Sequence, residues 1–158
     1  MKIKEYKSVL RSNRQPMMKE TATTYNIDGR KQFSDPATIA RFMLDEVGTR
    51  EAGEEYVYIL CLDTKLHLTG LFEASHGSVN GSIFPIREIL QKALLLGAVS
   101  IILTHNHPSG DAMPSNDDIS ATKRLKEGCF IIGISLLDHV VTAGITGEYT
   151  SMKEMQII

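Results

Sequence analysis

Residues 98–118 read AVSIILTHNHPSGDAMPSNDD. The first six form an apolar run containing Val99, Ile101 and Ile102, bounded by Gly97 and by Pro108-Ser109-Gly110. Such a run predicts a strand buried on both faces and central in a sheet. In extended chain, residues two apart point the same way, so His105 and His107 leave the strand end aimed together. Pro108 and Gly110 then turn the chain. Ser115 suits the N-cap of a following helix, and Asp118 sits three residues on, a capping box with Asp in place of Glu. A carboxylate is also favoured in a first helical turn by the helix dipole. Strand end and helix start can therefore meet around one ion.

Two imidazoles and a carboxylate are ligands that a borderline cation such as Zn²⁺ takes, and three protein ligands leave a fourth position for water. His105, His107 and Asp118 are accordingly the candidate metal ligands, with Zn²⁺ as the expected cofactor, in an open site suited to chemistry. Neither half is decisive alone: a lone H-x-H is weak, and S-x-x-D is more often only a helix cap. Their joint spacing through Pro108, Gly110 and Pro114 carries the reading.

The pattern His105-Asn106-His107, ten residues, Asp118 resembles that of the JAMM (MPN+) metalloprotease superfamily. Within it the chain is most similar to the RadC-like branch, long labelled DNA-repair proteins. Its HNHPSG stands at 105–110 and its PS-x-x-D at 114–118. YILCLDTK (58–65), HGSVN (76–80), PIREIL (85–90), GISLLDHVV (133–141) and YTSMKE (149–154) resemble further segments of that family. The likeness runs from about Asp35 to Ile158. It implies a three-layer α/β/α sandwich with a mixed sheet, the deaminase-like JAB/MPN fold. Full-length members carry an N-terminal helix-hairpin-helix, a DNA-binding module. With about thirty-five residues ahead of the match, the expected form is the short one lacking that segment.

The resemblance also implies a mechanism. A zinc-bound water, its pKa lowered to about 7, attacks an amide carbonyl, and a carboxylate outside the ligand set moves its proton to the leaving amine. The position matching that carboxylate is Glu55, ahead of YVYILCLD, with Glu51 and Glu54 as neighbouring alternatives. Ser115 matches the serine that hydrogen-bonds the oxyanion. As an N-cap it would contribute about 1 kcal/mol, and one hydroxyl can accept from a backbone N–H while donating to a substrate. Base deaminases use H-x-E with P-C-x-x-C; this chain has neither pattern, which disfavours that chemistry.

At 158 residues the chain fits one domain with a sizeable core. The expected division is an N-terminal arm or edge strands over 1–34 and the RadC-like domain over 35–158. No apolar run approaches the roughly 18 residues of a membrane span, and the N-terminus lacks the apolar stretch of a secretory leader. Cys61 and Cys129 lie in apolar stretches without metal or redox spacing, as expected for reduced core residues of a cytoplasmic protein. The net charge of −2 hides an asymmetry: residues 1–31 carry +5, from Lys2, Lys4, Lys7, Arg11, Arg14, Lys19, Arg30 and Lys31 against three acids, and the remainder −7. A basic arm can touch phosphates. Without aromatic interleaving, only weak nucleic-acid binding is expected.

Along the chain, KEYKSVL and ATTYNI suit edge strands, with a terminus free to fray. A helix is expected from Ser34-Asp35-Pro36, with Ile39, Phe42, Met43 and Val47 on one stripe and Gly48 as its stop. Strands follow at 56–62 and 66–73 as a hairpin, then a loop HGSVNGS and a helix opened by Pro85 and ending near Gly97. After the histidine strand come a helix from Ser115 to Glu127, stopped by Gly128, and strands at 130–132 and 134–142. His139 is expected to be a core histidine partnered by Asp138, or else a residue orienting a ligand from behind. His67 and His76 are expected at the surface. The leading function is a zinc-dependent hydrolase of metallopeptidase or isopeptidase type, acting on a peptide or isopeptide substrate. The alternatives are a DNA-repair or mobile-element-associated accessory protein that binds or acts on nucleic acid, and a catalytically inactive metal-binding scaffold.

Overall fold

A computed structural model of the chain describes residues 1–11, 15–29, 31–77 and 84–158. Its elements are β1 (Lys2–Leu10), β2 (Pro16–Asn26), α1 (Pro36–Arg41), β3 (Tyr56–Leu62), β4 (Leu68–His76), α2 (Ile86–Leu95), β5 (Ser100–His107), α3 (Asn116–Ile131), β6 (Ser135–Ala143) and β7 (Tyr149–Ser151). The seven strands form one sheet in the order β2-β1-β4-β3-β5-β6-β7. It is mixed: β1–β4 and β5–β6 are parallel, the other pairs antiparallel. The turn read at 76–80 lies, from residue 78 on, outside the described residues.

Alternation along the central strands produces the layers. Val57, Ile59 and Cys61 of β3, with Ile101 and Leu103 of β5, pack against α2 and α3 through Ile89, Ala93, Ala121, Leu125 and Cys129. The intervening Leu60, Leu62 and Ile102 pack on the opposite side beneath Ile39, Ala40, Phe42 and Met43. A strand with apolar residues on both faces must be covered twice, and α1 and the α2–α3 pair do this. The α/β/α architecture expected from the sequence is present, and β5, flanked by β3 and β6, lies inside it.

Four local expectations differ from the structure. The second strand of the hairpin begins at Leu68 rather than Leu66. The Asp63 carboxylate accepts from the backbone N–H groups of Lys65 and His67 at 2.8 and 2.9 Å, and this turn puts Leu66 at φ 63°. The helix opened by Asp35, whose carboxylate accepts from Thr38 N, widens into a π-helical turn over Phe42–Val47 before Gly48 ends it at φ 87°. Gly128 does not stop α3. A Cβ there would lie 2.9 Å from Leu90 Cδ1, so its bareness lets α2 approach, and the helix continues until Gly133 turns at φ 75°. Phe130 and Ile131 are therefore helical, not strand. Finally, the N-terminal strands are longer than read. β1 and β2 form a hairpin whose Ile3, Tyr25 and Ile27 are buried in the core under α1, and the Met1 ammonium donates to Ile27 O at 2.6 Å.

Candidate metal centre

β5 and the first turn of α3 converge on one point. His105 and His107, two apart on β5, share the sheet face that α3 covers. Asp118 is the third residue of α3. Ser115 caps that helix as read: its Oγ accepts from Asp118 N at 3.1 Å, and Asp118 Oδ2 accepts from Ser115 N at 2.8 Å. The Ser115 hydroxyl proton is directed at the same Oδ2, 2.7 Å away. Asp118 Oδ1 is the oxygen turned toward His105.

The donor set fits a cation. His105 Nε2 and His107 Nε2 are 2.8 Å apart, His105 Nε2 is 3.6 Å from Asp118 Oδ1, and His107 Nε2 is 3.8 Å from Asp118 Oδ2. Ligands at zinc–nitrogen and zinc–oxygen distances of about 2.0–2.1 Å in a tetrahedron stand roughly 3.3 Å from each other, within this spread. One ligand atom from each of the three residues can be chosen so that all lie within 4.8 Å of one another. His107 Nδ1 is 2.7 Å from the Asp111 carbonyl. A carbonyl only accepts, so Nδ1 carries the hydrogen and neutral His107 presents a bare Nε2. Burial works against ionisation of Asp118; a protonated His105, by hydrogen bond and charge, and then the two Ser115 donors outweigh it and hold the carboxyl well below the usual carboxylate range, and the Ser115 bonds remain when His105 is neutral. An anionic oxygen and two imidazole nitrogens meeting where little solvent reaches is an arrangement that attracts a cation.

Glu55 precedes β3 and is half-buried, whereas Glu51 and Glu54 are exposed. The β3–β5 ladder pairs Val57 with His105; continued two residues, the same register sets Glu55 across from His107, on the same face of the sheet, and Glu54 on the opposite parity. A buried residue read only as the middle of H-x-H helps to fix this segment. Asn106 Nδ2 donates to Glu54 O at 2.9 Å, and Asn106 Oδ1 accepts from Tyr56 N at 2.9 Å, so one side chain clamps the backbone on both sides of Glu55. Gly77 N donates to the Glu55 carbonyl from the other side, at 3.1 Å.

His139 is fully buried and stands behind the site. Its Nε2 is 2.7 Å from His105 Nδ1 and its Nδ1 is 2.6 Å from Thr122 Oγ1. The ring partner is thus not Asp138, whose carboxylate instead accepts from His139 N, Ser151 Oγ and Lys153 N. Phe84 walls the apolar side, its ring centroid 6.0 Å from that of His105 and 5.5 Å from that of His139. Thr122 and Asp111 stood in no motif, and Asn106, though inside HNHPSG, had no role read for it; a Thr one turn beyond Asp118 on α3 was the local hint for Thr122. His76 is exposed as read, paired with Glu73, while His67 is partly buried and lies 3.2 Å from Asp63 Oδ2. Two clefts border the 108–113 loop. One of about 500 Å³ is lined by Arg50, Gly53, Pro108 and Ile145 among others, and one of about 360 Å³ by Asp111, Met113 and Tyr149 among others.

Comparison with known proteins places this geometry in context. A family model described as the RadC-like JAB domain matches residues 33–157. A UPF0758 protein of Clostridium acetobutylicum is 41% identical over 123 residues, covering 78% of this chain and 52% of that protein. One from Methanococcoides burtonii is 47% identical over 105 residues, 66% of this chain and 45% of its own length. One from Desulfitobacterium hafniense is 39% identical over 129 residues, with 82% and 55% covered. The chain spans about half the length of these curated relatives.

Proposed function

The chain belongs to the RadC-like JAB domain family, and on that premise we propose that it is a zinc-dependent hydrolase of amide or isopeptide bonds. The observation that carries this reading is the convergence of two imidazole nitrogens and one low-pKa carboxylate at the end of β5. When bound there, zinc supplies a Lewis acid and lowers the pKa of a coordinated water to about 7. The chain supplies the rest. His105, His107 and Asp118 would hold the ion, with Asp118 anionic throughout the neutral range. Glu55 would accept a proton from the attacking water and return it to the leaving amine, and the Asn106 clamp supports that assignment by fixing the backbone that carries it. Ser115 would donate to the developing oxyanion. Its Oγ–H must first rotate off Asp118 Oδ2, a motion that leaves the N-cap bond intact, because there the oxygen is the acceptor.

The substrate proposed is a peptide or isopeptide reaching the site past the 108–113 loop. A cytoplasmic location agrees with the two buried thiols, Cys61 and Cys129. Among the described residues no helix is long and apolar enough to cross a membrane. Elemental analysis of the purified chain, with a panel of peptide, isopeptide and nucleic-acid substrates, tests the proposal. About one zinc per chain is expected, lost in His107→Ala. Glu55→Gln is expected to keep zinc and lose roughly 10²–10⁴-fold in rate. Unchanged metal in His107→Ala, or full activity in Glu55→Gln, would overturn the corresponding assignment.

A further inference from the structure

A line of hydrogen bonds runs from the backbone of α3 into the centre, and we propose that its direction holds His105 in the tautomer whose Nε2 is bare, making Thr122 and His139 positioning residues for a cation. The inference rests on the metal reading above and concerns how the ligand is prepared, not whether it is one.

The direction follows from which atoms own protons. Thr122 Oγ1 is 2.6 Å from the carbonyl of Asp118, one turn earlier in α3. A carbonyl cannot donate, so a contact this short takes the single proton of the hydroxyl. The same oxygen is 2.6 Å from His139 Nδ1; with its proton spent it can only accept, so Nδ1 carries the hydrogen. His139 is wholly buried, and its two ring nitrogens face Thr122 and His105 rather than a carboxylate; an imidazole so placed is neutral and has one N–H. His139 Nε2 is therefore an acceptor. It lies 2.7 Å from His105 Nδ1, which must donate to it. The hydrogen of His105 is thus held at the back of the ring, and Nε2 turns a lone pair toward His107 Nε2 and Asp118 Oδ1, a set of acceptors this close together being favourable only around a cation.

The chain of bonds closes on itself. It starts at the backbone of Asp118 and returns to the side chain of Asp118 across the site, so the helix turn that supplies the carboxylate also sets the polarity of the first imidazole. His107 reaches the same state by a separate and more exposed contact, the Asp111 carbonyl. The opposite polarity would place a hydrogen on His105 Nε2, pointing into the ligand set, where an ion would have to displace it. Partners behind a ligating histidine typically change metal affinity by about 10–100-fold.

The test needs no substrate. Co²⁺ binding to the purified full chain is titrated by its visible absorption at pH 7, in wild type, Thr122→Ser, Thr122→Val and His107→Ala. Thr122→Ser keeps the oxygen and should bind like wild type. Thr122→Val removes the acceptor for His139 Nδ1–H and should weaken binding by roughly 10–100-fold. Equal affinity in wild type and Thr122→Val, with binding lost in His107→Ala, would overturn the positioning role and leave the metal reading standing. Retained binding in His107→Ala would instead remove the metal reading itself. An independent measurement needs no variant: long-range ¹H–¹⁵N spectra of the metal-free wild type distinguish histidine tautomers. His105 and His139 should both appear as Nδ1–H forms, and an Nε2–H form at either would overturn the proposal.

Discussion

The β5–α3 corner and the β1–β2 hairpin are both rich in polar side chains, yet they use them in opposite ways. In the corner His105, Asn106, Asp118, Thr122 and His139 are buried, and each has hydrogen bonds that fix its orientation. In the hairpin the ion pair between Lys4 and Glu20 lies in solvent, with 42% and 49% of the side chains exposed. Exposed pairs are screened and contribute little; buried polar groups left unmatched are costly. The difference is one of desolvation, not of charge count. It implies that Lys2, Lys4, Lys7 and Lys19 lie toward solvent on strands already committed to the sheet, whereas the few charges near β5 are held in fixed orientations.

That contrast can be broken most sharply at Asp118. Asp118→Asn should abolish tight metal binding, read by elemental analysis, while circular dichroism shows the fold retained. A variant that still holds about one zinc per chain would show that the carboxylate is only a cap. Acid stability comes next. Burial lowers the pKa of His139 in the fold, so below its unfolded pKa of about 6.5 the unfolded chain takes up a proton that the folded chain refuses. Asp118 is also depressed, so its contribution, present above an unfolded pKa of about 3.9, is lost as pH falls below that value. Urea midpoints of the metal-free protein should therefore fall in two stages on acidification, the first from about pH 6.5. A midpoint constant from about pH 7.5 to 5.5 would mean that His139 titrates normally in the fold.

Smaller again is the cap. Ser115→Ala removes the acceptor for Asp118 N and should cost about 1 kcal/mol in urea denaturation of the metal-free protein. The smallest effect belongs to the hairpin. Lys4→Gln should leave the melting temperature unchanged within error. Duplex DNA binding by the wild type should be weak, roughly 10⁻⁴ M or poorer at physiological salt, and steeply salt-dependent. Tight, salt-resistant DNA binding would invert the ranking of the two regions.

The same contrast explains what could be read in advance. His105, His107, Ser115 and Asp118 lie within fourteen residues, and their relations are those of a strand end and a helix cap, rules that act locally. The alternating cores of β3 and β5 were legible for the same reason. Glu55 became visible only through family likeness, because its relation to His107 is a register between strands about fifty residues apart. His139 needed knowledge of what lies behind His105, and Asn106 of which backbone groups end beside it. Gly128 looked like a helix stop because local rules say so; the nearness of Leu90, which requires a bare position inside the helix, is a tertiary fact.

Asn106 sits between the two histidines and faces the other way. One strand thus presents both imidazoles on one side, while the residue between them anchors the segment carrying Glu55. A one-residue slip of β5 would exchange the two sides completely. It would turn the histidines away and release the clamp in the same step. A one-residue insertion between Ser100 and His105 should therefore silence the site outright rather than detune it. Anyone transplanting this centre into another scaffold would have to move residues 54–56 and 105–107 together as a single paired cassette.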